Sequence, residues 1–188
     1  MTVAAKPATR APRTGKLRIA LVGPARYPVR EPYAGGLEAF CHTMVSALRE
    51  LGHDVDFFAA EGSDGNVKDF ELPGVDWGAH AEDATDTTYP EGGRERENAA
   101  FLQLRQLLVA RGYDVVHNNS LHYLPLAMAP SIGTPMVTTL HTPPTPWLEP
   151  TTDASVAVRR TTRSASRRSG SSASSQTSDG SVETSPRW

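Results

Sequence analysis

The sequence contains a single cysteine, Cys41, in 188 residues. One thiol cannot form an intramolecular disulfide, and it cannot supply the paired cysteines of a CxxC redox or metal site. No stretch approaches the roughly eighteen consecutive apolar residues that a membrane-spanning helix requires. The first residues are basic but lack the apolar stretch of a secretory signal. These absences predict a cytoplasmic protein with no membrane span, for which peripheral membrane contact stays open.

A basic surface for nucleic acid is also lacking in the body of the chain. Residues 17–150 contain nine basic and eighteen acidic residues, a net charge of −9. Because neutralising phosphates requires a basic face, we expect no nucleic-acid partner. The acidic residues between Glu82 and Glu97 predict a solvated surface. Six tail arginines, interspersed with serine, are a weak basis for binding nucleic acid or membrane.

Composition divides the chain into three segments. Residues 1–16 are rich in Ala, Pro, Thr and basic side chains, which predicts a disordered leader. Residues 17–150 carry the apolar patterning of one domain. Residues 151–188 include seventeen Ser or Thr but no Leu, Ile, Phe or Met. Such a tail cannot bury enough apolar surface to offset its ordering entropy, so we expect disorder.

Strand and helix patterns alternate along residues 17–150. The branched apolar run of residues 17–22 predicts a strand buried on both faces, and residues 37–51 repeat apolar side chains at helical spacing. The later predicted elements are strands over 54–60, near Val75 and Trp77, over 114–117 and over 136–140, and helices over 94–111 and 121–129. This alternation predicts an α/β fold, a Rossmann-like parallel sheet with helices on both faces.

Three loops are predicted to meet where ligands bind in such sheets, beyond the carboxyl ends of the strands. They are residues 23–36, 117–122 and 141–146. In the first loop, Gly35 and Gly36 immediately precede a helix, so bare backbone N–H groups can approach a phosphate or sugar oxygen. Alternatively, the two glycines only form a tight turn. Neither Gly-x-Gly-x-x-Gly after the first strand nor Gly-Lys-Ser/Thr occurs, which excludes dinucleotide oxidoreductases and P-loop nucleoside triphosphatases.

Histidines follow two of the predicted strands. His141 comes directly after a strand, so its ring is expected in the crevice, where it can donate a hydrogen bond to a hydroxyl or neutralise a developing charge. The alternative is a structural histidine. His117 and His122 are five residues apart, a poor spacing for shared zinc ligation, so we expect no metal. Tyr33 either lines a polar pocket or is solvated.

Several short motifs occur along the chain in a characteristic order. They are Leu17-Arg-Ile-Ala-Leu-Val-Gly-Pro24, Tyr27-Pro28, Tyr33-Ala-Gly-Gly36, Leu48-Arg-Glu-Leu-Gly-His-Asp-Val55, Phe57-Phe-Ala-Ala60, Tyr113-Asp-Val-Val-His117 and Thr138-Thr-Leu-His-Thr142. Together they resemble the N-terminal half of retaining glycosyltransferases of family 4, which have the GT-B fold. The resemblance covers roughly residues 17–150.

The resemblance implies two Rossmann-like domains across a cleft, the N-terminal one mostly for the acceptor and the C-terminal one for the nucleotide-sugar donor. It implies transfer of a hexose to a sugar, lipid or other small-molecule acceptor with retention, without a cofactor or essential metal. Gly35 and Gly36 would correspond to the loop that contacts donor phosphate or acceptor, and His141 to the histidine that reaches the transferred sugar. Tyr33, His117 and Asn118 are further candidate binding residues.

The sequence departs from the family in one respect. Family members carry Glu-x7-Glu in the donor domain, whereas no two glutamates here are eight positions apart. We therefore expect a truncated product with a frame-shifted tail, inactive alone because the donor domain is missing. The alternative is a non-catalytic half-domain that binds a sugar or phosphate, or docks on a partner.

Overall fold

A computed structural model describes residues 15–78 and 88–142. Its elements are β1 (Arg18–Val22), α1 (Gly36–Glu50), β2 (Asp54–Phe58), α2 (Gly93–Arg111), β3 (Val115–Asn118), α3 (Tyr123–Ile132) and β4 (Met136–Thr138). The strands are all parallel, in the order β2-β1-β3-β4. The predicted Rossmann-like α/β fold is confirmed. The predicted tail and all but the last two residues of the predicted leader lie outside the described residues.

Helices cover both faces of β1, so its apolar residues are buried on both sides. Ile19 and Leu21 pack in a cluster with α1, whereas Ala20 and Val22 pack in a second cluster with α2 and α3. The chain leaves β1 toward β2 through α1 and then returns across β1 to β3 through α2. Connections therefore diverge between the carboxyl ends of β1 and β3, where open sheets of this kind form a ligand crevice.

Gly23 allows the end of β1 to lie close against the end of β2. Its backbone N–H donates to the Phe58 carbonyl at 2.8 Å. A Cβ at this position would lie 2.9 Å from Cε2 of Phe57 and 3.2 Å from the Cβ of Ala59. Real Cβ atoms do not approach so closely, so a side chain here would displace the buried Phe57 ring.

The prediction of a strand near Val75 and Trp77 is wrong. Val75 donates its backbone N–H to the Arg26 carbonyl at 3.0 Å and lies in no strand. Pro73 lacks the N–H that a ladder would need, and Gly74 follows it. This segment pairs with the β2 edge only before the proline, through two isolated bridges, from Asn66 to Phe57 and from Leu72 to Ala60.

The helix predicted over 121–129 begins and ends later than expected. His122 caps α3, since its Nδ1 accepts from the Leu124 N–H at 3.1 Å. Pro125 lies in the first turn, as predicted, where its missing N–H costs nothing. Gly133, with φ of +74°, terminates the helix in the left-handed conformation.

Candidate functional site

Loops after β1, β3 and β4 meet at the carboxyl end of the sheet, as predicted. Asn119 donates its backbone N–H to the Val22 carbonyl at 2.7 Å, which ties the end of β3 to that of β1. Thr139 donates to the Asn118 carbonyl at 3.0 Å, which ties β4 to β3. Residues 143–146 of the third predicted loop lie outside the described residues.

His141 is half-buried among these loops. Its Nε2 lies 3.1 Å from Oδ1 of Asn119, and its ring packs edge-on against Phe40 of α1 with centroids 5.0 Å apart. Burial, and then the nearby His117, lower the pKa of His141. The imidazole is therefore neutral at pH 7, which suits hydrogen bonding to a hydroxyl better than neutralising a charge.

His117 and Asn118 differ in how their side chains are used. His117 is half-buried, its Nε2 lies 2.9 Å from Oγ1 of Thr139, and burial lowers its pKa. Asn118 is fully buried; its Oδ1 accepts from the Ser120 hydroxyl at 2.7 Å and from the Ser120 N–H at 3.2 Å. Its Nδ2 donates to the Thr138 hydroxyl at 3.3 Å. The buried Asn118 amide thus stabilises the loop after β3 and connects it to β4.

Gly35 and Gly36 stand exposed at the amino end of α1. A Cβ on Gly36 would meet nothing within 4 Å, so open space lies in front of this helix. Tyr33 precedes the pair, and its hydroxyl lies 2.9 Å from Nδ1 of His42 on α1. The structure places Tyr33 beside the helix, half-buried, with its hydroxyl already hydrogen-bonded.

Glu38 was missed by the sequence reasoning, although it lies at the same helix end. It is only 5% exposed, and its Oε2 would lie 3.3 Å from a Cβ on Gly35. A carboxylate in the first helical turn complements the partial positive charge of that end. Because α1 supplies its own anion, this end suits sugar hydroxyls better than phosphate. A glutamate three residues after the N-cap position is a sequence signal for a helix start.

A second polar cluster joins the loop after β1 to the beginning of α2. The guanidinium of Arg26 lies 4.7 Å from the ring centre of Tyr89 and 5.8 Å from that of Trp77. Glu97 is 4% exposed, and burial raises its pKa although Tyr89 and two arginines act in the opposite direction. The predicted solvated surface between Glu82 and Glu97 is therefore wrong at Glu97, where tertiary packing overrides the charge pattern.

The opposite, amino end of the sheet holds an open cavity of about 460 Å³. Arg18, Asp56 and Arg111 line it, with Arg18 and Arg111 both within 3.7 Å of Asp56. These are ion pairs among partly exposed side chains. No predicted candidate residue lies there.

The described residues include neither a metal-ligand group nor a membrane-spanning helix. Within 15–78 and 88–142, no three His, Cys, Asp or Glu side chains are grouped as metal ligands. No helix in that part of the chain is both long and apolar enough to cross a bilayer.

A four-stranded parallel sheet with helices on both faces defines a Rossmann-like α/β domain. The family model described as Glycosyltransferase Family 4 matches residues 34–174, three quarters of the chain. The chain therefore belongs to glycosyltransferase family 4, and the resemblance is confirmed. No curated protein matches it.

Proposed function

We propose that the chain forms the acceptor-side domain of a GT-B hexosyltransferase that uses a nucleotide sugar and retains the anomeric configuration. Family membership over residues 34–174 supports the reaction class. The nucleotide sugar is a substrate, and no cofactor is involved. The acceptor is a sugar, a lipid or another small molecule, and the compartment is the cytoplasm, with membrane contact at most peripheral.

The observation that carries this proposal is the position of His141. The ring lies beyond the carboxyl end of the sheet, hydrogen-bonded to Asn119 and packed against Phe40 of α1. Lowered pKa values keep both His141 and its neighbour His117 neutral. Neutral imidazoles at a crevice suit hydrogen bonding to the hydroxyls of a hexose.

The other candidate residues have different roles in the proposal. Gly35 and Gly36 give a sugar hydroxyl or a donor phosphate oxygen access to the backbone, with Glu38 favouring the hydroxyl. Tyr33 and His117 are further binding residues in this proposal, and Asn118 supports the loop through its hydrogen bonds to Ser120 and Thr138. In the proposed GT-B arrangement, a second, donor-binding domain would hold the diphosphate.

Titration of the chain with UDP-glucose, GDP-mannose and free glucose tests the proposal. His141→Gln should weaken saturable sugar binding about tenfold, the loss expected for one hydrogen bond. His53→Gln is the matched control, because His53 accepts from the Leu17 N–H at the amino end of the sheet. Binding that is absent, or equal in H141Q and wild type, would contradict the assignment.

A non-catalytic half-domain is the second candidate. It is favoured by the lowered pKa values of His117 and His141, which make both imidazoles weaker proton acceptors than a free histidine. Saturable binding without transfer or hydrolysis, with and without a donor-binding partner chain, would support this candidate. Product formation would support the enzyme.

A further inference from the structure

Asn119 connects all three strand ends at the candidate site. It is fully buried, and its backbone N–H donates to the Val22 carbonyl at 2.7 Å. Its side-chain Nδ2 donates to the His117 carbonyl at 3.4 Å, and its Oδ1 lies 3.1 Å from Nε2 of His141. The side chain is therefore held between β3 and the histidine that follows β4.

These contacts assign the orientation of the amide. A backbone carbonyl only accepts hydrogen bonds, so the NH2 group of Asn119 must face the His117 carbonyl. The amide oxygen then faces His141, and it too can only accept. Nε2 of His141 must consequently carry the proton, which leaves Nδ1 of the neutral ring with a lone pair.

We propose that Asn119 is a positioning residue that fixes His141 in the Nε2–H tautomer, so that Nδ1 accepts a hydrogen bond from a sugar hydroxyl. The inference rests on the proposed function for its ligand, whereas the tautomer follows from the contacts alone. A phosphate oxygen that carries no proton has nothing to donate to Nδ1. The residue pair therefore selects hydroxyls over phosphate oxygens that carry no proton, such as those of a nucleotide-sugar diphosphate.

Nitrogen NMR of the 15N-histidine-labelled chain tests the tautomer directly. Wild-type His141 should show a protonated Nε2 and an unprotonated Nδ1 at pH 7. Asn119→Ala should give a mixture of tautomers, because the acceptor is lost. Asn119→Asp keeps the acceptor but adds a charge, so the tautomer should persist while the His141 pKa rises by about one unit or more.

Thr139→Val provides the matched control, since it removes the polar partner of His117 and leaves Asn119 in place. His141 signals should keep the wild-type tautomer in T139V. An unchanged tautomer in N119A would overturn the inference. If N119A does not fold, an unchanged His141 pKa in N119D would overturn it equally.

Ligand titrations separate this inference from the proposed function. UDP-glucose should shift the His141 Nδ1 resonance, whereas sulfate, which carries no proton at pH 7, should not, and N119A should bind UDP-glucose about tenfold more weakly. Sulfate that shifts Nδ1 as strongly as UDP-glucose would overturn the selectivity. A tautomer that changes in N119A, in a chain that binds no sugar, would contradict only the proposed function and would support the positioning role.

Discussion

The two ends of the parallel sheet are built from different polar chemistry. At the carboxyl end, neutral and largely buried groups satisfy one another: Asn118, Asn119 and Ser120 are each no more than 3% exposed. At the amino end, Arg18 and Arg111 pair with carboxylates whose side chains are 26% to 67% exposed.

This difference predicts at which end of the sheet substitutions and acid reduce stability most. A buried amide that loses its partner carries the full desolvation cost of that group, whereas an exposed ion pair exchanges its partner for water and salt. The carboxyl end should therefore respond strongly to substitution and to acid, and the amino end weakly.

Acid should have the largest effect, through the histidines of the carboxyl end. Burial lowers the pKa of His122 to about 4, below the unfolded value of 6.5, so the unfolded state binds the extra proton first. Stability should fall by roughly 3 kcal/mol as the pH drops from about 6.5 to about 4. His117 and His141, whose pKa values are also lowered, act in the same direction. Urea denaturation at a series of pH values measures this loss.

Variants locate the source of that acid sensitivity. His122→Asn keeps a side chain that can cap α3 and removes the titrating ring, so the curve of stability against pH should flatten. A slope that survives in H122N would assign the effect to other groups.

Removing the buried amide of Asn118 should have the next largest effect. Asn118→Ala leaves the Ser120 and Thr138 hydroxyls without this partner, at a cost of about 2–3 kcal/mol in the free energy of unfolding. Chemical denaturation measures the change. A loss under about 0.5 kcal/mol, the usual range for a surface substitution, would show that the network is dispensable.

Close packing beneath the crevice should give a smaller loss. Gly23→Ala places a methyl group 2.9 Å from the Phe57 ring and should cost about 1–3 kcal/mol. Gly36→Ala is the matched control, because nothing lies within 4 Å of its Cβ, and it should change stability by less than about 0.5 kcal/mol. Equal losses in both variants would contradict the packing explanation.

The sequence predicts most of the fold because periodicity reports burial. Four of the five predicted strands and all three helices are present, although α3 is displaced by the cap at His122. The exception, near Val75, follows a proline and a glycine, which weaken the ladder that the apolar residues suggest.

The periodicity of apolar residues does not predict which side chains contact one another at the candidate site. The sequence pattern predicts that His141 directly follows a strand, whereas β4 ends three residues earlier, at Thr138. The ring is half-buried beside Asn119. Asn119 and Glu38 were missed because their roles depend on contacts between segments far apart in the chain or on burial at a helix end. Glu97 was assigned to the surface because a charged run does not reveal the arginines and aromatic rings that surround it.

The smallest effect is expected at the amino end. Arg111 holds the pKa of Asp69 below its usual range by hydrogen bonding. The pair therefore stabilises the fold above that range, and this contribution is lost as the pH falls through the lowered value.

Arg111→Met keeps apolar contact with the Phe58 ring, over which the guanidinium lies. Its loss of stability should be smaller than that of Asn118→Ala and should shrink further in 1 M salt, because water and salt replace the partner. Paired unfolding curves of R111M and N118A at low and high salt measure this. A loss of stability in R111M that exceeds the loss in N118A and does not depend on salt would mean that the amino end of the sheet is as sensitive to substitution as the carboxyl end.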